Sequence, residues 1–313
     1  MKRSKHVLLV VLVMLIGSSF GASPTGCSYD SSYSSTGIYT CIFGSYTEPL
    51  TYSAFSSPRP QRLKITNLSG SFPAGGSAFS GFSSYSSGLF DVNYPASLEL
   101  VCTGTGTLTL STGTFTDMGY LQEVKFTHCN IASLTSNMLS NFGSLNSLMF
   151  EYGSIASYTA DFLTGLTIEA QSVSVPKGEL VIKDCTISPT DIPAGLFDPL
   201  TAAKVIRIEH AGVTTINSAA FSLAVKLSYI SLSDNSITTL DNNILTGLNS
   251  LSTLNLDGLA YDCTCSNLGL LTFASENSVN IPSGLICNTP AAYQSKYMYH
   301  ICEILNVRGY KTY

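Results

Sequence analysis

The sequence predicts an α/β solenoid with a parallel β-sheet on its concave face, a mostly irregular or 3-10 convex side, and disulfide caps at both ends. Three observations predict it. A short apolar pattern returns in phase six times along the middle of the chain. Nine cysteines include clusters before and after that stretch. At 44% hydrophobic and only 11% charged residues, the chain can bury a large core while Ser, Thr, Asn and Tyr supply its surface polarity.

Taken in order, the chain opens with Lys2, Arg3 and Lys5, an unbroken apolar run from Val7 to Ile16, and small residues at Gly17, Ser18 and Ser19. A charged start, a short apolar stretch and a small-x-small site read as an export signal over residues 1–21, cleaved after Gly21. The run falls short of the roughly 20 apolar residues that a membrane-spanning helix needs. The expected compartment is therefore secreted and extracellular, with no membrane span.

Residues 22–60 form a Ser/Tyr-rich N-terminal cap in which Cys27 and Cys41 bracket a loop, as a disulfide-tied hairpin over the first strand would. Repeats follow over residues 61–260. Six segments share one phase: Val124-x-Phe126-x-x-Cys129, Leu148-x-Phe150-x-x-Gly153, Leu180-x-Ile182-x-x-Cys185, Ile206-x-Ile208-x-x-Ala211, Ile230-x-Leu232-x-x-Asn235 and Leu254-x-Leu256-x-x-Leu259. Successive copies lie 24 residues apart, with 32 once and 26 once, and the longest gap carries an insertion around Ala170 to Gly178. Two weaker copies precede them, at Leu63-Lys64-Ile65 and Leu98-Glu99-Leu100. Alternate residues of a strand face opposite sides, so the apolar pair points inward and its neighbours point out. One such unit cannot bury its apolar face alone, and stacked units share a continuous core.

This pattern resembles the leucine-rich-repeat family, in which a short strand carries L-x-L and the following turn carries Asn, Cys or a small residue. Asn235 holds that turn position as a true Asn, whereas Cys129, Gly153, Cys185 and Ala211 replace it elsewhere. Without a carboxamide to satisfy buried backbone groups, those corners are expected to be less regular. Residues 261–302, with Cys263-Thr264-Cys265, Cys287, Pro290 and Cys302, resemble the C-terminal flanking module of extracellular members of the family. The resemblance implies pairing of Cys263 with Cys287 and of Cys265 with Cys302. Where that module usually carries Trp, this chain has none, and Tyr261 and Leu270 to Phe273 stand in bulky positions. Cys263, Cys265, Cys287, His300 and Cys302 are also zinc-type ligands, but an oxidising compartment favours disulfides. Cys102 and Cys129, on neighbouring units, are open to a bridge, and Cys185 has no evident partner and reads as a buried apolar residue. Residues 303–313 are a short polar tail.

A net charge of −5 offers no basic patch and argues against nucleic acid or anionic membrane as partner. Neither a G-x-S-x-G elbow nor a complete dinucleotide loop is present, so no enzyme activity and no cofactor or metal is expected. Asn67-Leu68-Ser69 is the one N-x-S/T acceptor in the chain and marks Asn67 for glycosylation. The repeat phase names the outward concave columns: Lys125, Met149, Val181, Arg207, Ser231 and Asn255, then Thr127, Glu151, Lys183, Glu209, Ser233 and Asp257. Just beyond lie His128, Tyr152, Asp184, His210 and Asp234. The candidate ligand contacts are Lys125, Glu151, Tyr152, Lys183, Asp184, Arg207, Glu209, His210 and Asp234, with Glu151, Lys183 and Glu209 as a ladder of alternating sign. That ladder is either a contact surface for an extracellular protein or glycan, in immunity, adhesion or signalling, or a row of charges neutralising one another. The alternative function is a structural component of a secreted matrix, cuticle, shell or coating, with self-association through exposed Tyr and an unpaired thiol.

Overall fold

The computed structural model describes residues 23–30, 32, 37–43, 49–55, 60–70, 72, 78–82, 94–170, 177–263, 269–282, 286–289, 291 and 294. The export-signal segment 1–21, Cys265, His300, Cys302 and the tail 303–313 lie outside the described residues.

Ten strands form one sheet in chain order: β1 (Cys27–Tyr29), β2 (Ile38–Ile42), β3 (Arg62–Leu68), β4 (Ser97–Cys102), β5 (Glu123–Thr127), β6 (Ser147–Glu151), β7 (Glu179–Lys183), β8 (Val205–Glu209), β9 (Tyr229–Ser231) and β10 (Thr253–Asn255). β1 runs antiparallel to β2, and every later neighbour is parallel. The chain is a leucine-rich-repeat solenoid. Its parallel sheet starts at β2, within the segment read as a cap, because Tyr39 and Cys41 supply the same inward alternation as the later L-x-L pairs.

Each unit buries its alternate residues. In β8, Ile206 and Ile208 are fully buried while Val205, Arg207 and Glu209 are half-buried. The convex side is a succession of hydrogen-bonded turns, with a 3-10 turn at Tyr52–Ala54, and it sends one Phe inward from each of several units. Phe115 meets Phe142 at 4.6 Å between ring centroids, and Phe197 stacks on Phe221 at 5.0 Å. From strand side to turn side, one apolar stack runs the length of the solenoid.

The corners overturn the expectation of irregularity. Residues 107–108, 130–131, 154–155 and 186–187 form a second parallel sheet, built from the units that lack the Asn. Ser154 N–H donates to Cys129 O at 3.1 Å, Thr186 N–H to Gly153 O at 3.1 Å, and Ala156 N–H to Ile131 O at 2.8 Å. Backbone of the adjacent unit thus replaces the missing carboxamide, as buried N–H groups require. A side chain at position 153 would obstruct this ladder, since a Cβ there would overlap the Cys129 backbone. The ladder ends where Asn235 begins its own work. Its Oδ1 accepts from Ala211 N–H and Val213 N–H, each at 3.1 Å, and its Nδ2 donates to Ile208 O at 2.6 Å and Leu232 O at 2.9 Å.

Both ends are closed. Cys27 pairs with Cys41 across the β1–β2 hairpin, and Cys102 pairs with Cys129 between neighbouring units. Cys263 pairs with Cys287, as the family resemblance implies, next to the parallel bridge of Tyr261–Asp262 with Cys287–Thr289. Helix α1 (Gly269–Glu276) covers the last unit with Leu270 and Ala274, and Asn280 continues the sheet by bonding Leu254 and Ser252. No helix among the described residues is long and apolar enough to cross a membrane.

Candidate functional site

The strand register aligns the predicted columns. Met149 lies between Lys125 and Val181, and Val181 leads on to Arg207, Ser231 and Asn255. Toward the N-terminus the same column continues through Glu99 and Lys64. The second column places Thr127, Glu151, Lys183 and Glu209 side by side.

The charges of these columns pair with one another. Lys64 meets Glu99 at 3.0 Å, Lys125 meets Glu151 at 2.7 Å, and Glu209 meets Lys183 at 3.8 Å and Arg207 at 3.5 Å. The run Glu151–Lys183–Glu209 is therefore not one continuous ladder: Glu151 turns diagonally to Lys125. Arg207 also lies 4.4 Å over the Tyr229 ring. Val181, Ser231 and Ser233 face the concave side but are buried, which flattens the centre of the face. Such partly exposed pairs contribute about 0.2–1 kcal/mol each. A partner docking on them gives up those internal pairs before gaining new ones.

The row just beyond the strands is different. His128, Tyr152, Asp184, His210 and Asp234 all hold left-handed backbone, with φ of 57°, 59°, 49°, 49° and 57°. The solenoid demands it: each N–H donates to a carbonyl of the following unit, from His128 to Glu151 O at 2.8 Å through Asp234 to Asp257 O at 2.8 Å. Asp and His tolerate this region, whereas a bulky residue does not adopt it readily. Gly258, next in the row, has φ of 73° and lies against the Asp234 carboxylate, where a Cβ would collide. Tyr152 holds this conformation and is 51% exposed, its ring stacked on His128 at 5.3 Å between centroids. Asp184 Oδ1 lies 2.8 Å from His210 Nδ1. This edge exposes His128, Tyr152, His210 and Asp234, with Asp184 half-buried, whereas the candidate contacts in the columns are half-buried save Lys183. It leads toward a cleft of about 270 Å³ between Leu256 to Ala260 and the cap residues Ile286 to Asn288.

Of the predicted contacts, Tyr152, Asp184, His210 and Asp234 gather on the edge, and Lys125, Glu151, Lys183, Arg207 and Glu209 lie in the internally paired columns. Sequence reasoning missed Lys64 and Glu99, although both sit in the weak copies it named. It also missed Glu123, which Lys177 reaches at 2.6 Å from the end of the insertion. Among the described residues, no group of three or more His, Cys, Asp or Glu is placed to hold a metal ion.

Cys185 is buried, and burial pushes its thiol up to about 11 from 9.0. This closes it as a cross-linking group in the folded chain. The folded state holds the proton more tightly than the unfolded state, so its contribution to stability is complete below pH 9 and fades as pH rises toward 11. Native protein at pH 8 should leave Cys185 unmodified by iodoacetamide, and denatured protein should alkylate it fully; rapid labelling of the native chain would contradict this burial.

A leucine-rich-repeat family model matches residues 201–258, within the stacked units of the solenoid. A chain of the Drosophila Toll–Spatzle complex shares the fold, with a TM-score of 0.51 and 14% identity over 80% of this chain and 31% of that one. This protein thus spans about a third of that chain's length. Human 5T4 (Wnt-activated inhibitory factor 1, trophoblast glycoprotein) aligns over 89% of this chain and 96% of its own at 14% identity, with a TM-score of 0.47. No curated protein sequence matches the chain.

Proposed function

We propose that the chain is a secreted binding protein that takes an extracellular protein or glycan along its concave side, with the contact centred on the strand-end edge. One observation carries this reading: exposed Tyr152 is kept in left-handed backbone, in a row where Gly258 shows that glycine serves the turn. Holding a bulky residue there costs on the order of 1 kcal/mol, and such a cost within a repeated turn points to use of the side chain. Export is supported by the pattern over residues 1–21 and by three disulfides, which persist in oxidising compartments. The Toll–Spatzle complex assembles the same fold with a protein, which supports a protein partner over a glycan.

The edge carries its own test. Tyr152-Gly153-Ser154 becomes a glycan acceptor on the single change Tyr152→Asn, and Asn is well tolerated in left-handed backbone. Secreted Y152N is expected to lose capture of the physiological partner from extracellular fluid. Tyr152→Asn with Ser154→Ala, which has the same Asn and no acceptor, separates the glycan's bulk from the loss of the ring. Capture undiminished in both variants would remove the edge from the binding surface.

A further inference from the structure

Asn67 occupies the same place in its unit as His128 does in a later one, five positions after Arg62 as His128 is five after Glu123. It has the same left-handed backbone, with φ of 63°, and is exposed. The register between β3 and β4 shifts between Ile65 and Leu68, so the strand bulges at Thr66 and Asn67 and turns Asn67 out of the ladder. Leu68 is buried beside it, and the Thr103 hydroxyl donates to Asn67 Oδ1 at 2.8 Å, so the protein holds the carboxamide through its oxygen.

We infer that Asn67 carries an N-linked glycan standing in line with the edge, which closes the N-terminal end of that row and leaves the stretch from Tyr152 to Asp234 open. The inference rests on the export proposed above. In the modification, Nδ2 of Asn67 bonds to the anomeric carbon of a polyprenyl-diphosphate-linked oligosaccharide. The carbon–oxygen bond to the diphosphate breaks, the diphosphate leaves with the electron pair, and the amide proton passes to a base of the transferring enzyme. His128 lies two strands from Asn67 and His210 five strands away, about 10 Å and about 24 Å at the spacing of neighbouring strands. The first sugars therefore reach His128 and do not reach His210.

The full chain, expressed in a glycosylating cell line, should appear in the medium with a glycan that peptide N-glycosidase F removes, leaving heavy-oxygen-labelled aspartate at position 67 in labelled water. Ser69→Ala should abolish the glycan while keeping Asn67. Hydroxyl-radical footprinting should then show His128 oxidised about twofold more slowly in the glycosylated chain than in S69A, and His210 equally in both, given the about 10 Å reach. Chain in the medium with unmodified Asn67 overturns the glycan alone. A chain retained in the cell without glycan overturns the export reading and the glycan with it. Equal His128 rates in a glycosylated chain overturn its placement on the edge.

Discussion

Replacing Asn235 with alanine is expected to lower the unfolding free energy by about 4 kcal/mol, since two buried N–H groups and at least one carbonyl lose their partner at about 1–3 kcal/mol each. The residue is 7% exposed, and its side chain ties its own unit, through Leu232 O, to the previous one, through Ile208 O, Ala211 N–H and Val213 N–H. Water has no easy route to those groups once the carboxamide is gone. Urea unfolding gives the free energy, and amide exchange at Ala211 and Val213 should accelerate by a matching factor. The other units offer a competing outcome. At Cys129, Gly153 and Cys185 the same corner closes by backbone pairing with the neighbouring unit. If the N235A corner relaxes into that ladder, the loss falls below about 1 kcal/mol, and carboxamide and ladder would be interchangeable ways of sealing a corner.

That comparison explains what the sequence could and could not disclose. The phase of Val124, Leu148, Leu180, Ile206, Ile230 and Leu254 announced the solenoid because inward alternation is local to each strand. The Cys263–Cys287 cap was legible through its resemblance to a known module. Substitution of Asn by Cys129, Gly153 and Cys185 read as a loss, because the backbone that compensates comes from the next unit, 24 or more residues away. Charge pairing failed for a related reason. Lys125 and Glu151 belong to different columns, and a diagonal contact depends on sheet twist and side-chain reach rather than on register alone. The left-handed edge did leave a trace: Asn67, Asp184, Asp234 and Gly258 are residue types that favour such backbone, all at the end of the strand pattern. Tyr152 breaks that trace by residue type, and the repeat phase alone placed it in the row.

Removing the Cys102–Cys129 bridge by changing both residues to alanine is expected to destabilise the chain by about 3.5 kcal/mol on the loop-entropy account, for a sequence separation of 27. The loss should be local. β4 follows the bulge at Thr66 and Asn67, and its unit reaches the Cys129 position one residue early, as the pairing of Leu68 with Cys102 shows. The disulfide holds this shortened unit against β5 at the corner, where the second sheet begins with residues 107–108 and 130–131. Stability in a solenoid is close to a sum of unit and nearest-neighbour interface terms, so weakening one interface permits the units on either side to melt separately. Exchange should therefore rise across β3, β4 and residues 107–108 and stay unchanged from β7 to β10, with calorimetry resolving two transitions. A single transition lowered uniformly would mean that the aromatic stack through Phe79, Phe115, Phe126 and Phe150 couples the units more strongly than the bridge does. The edge would then behave as one rigid rail along the units that share that stack.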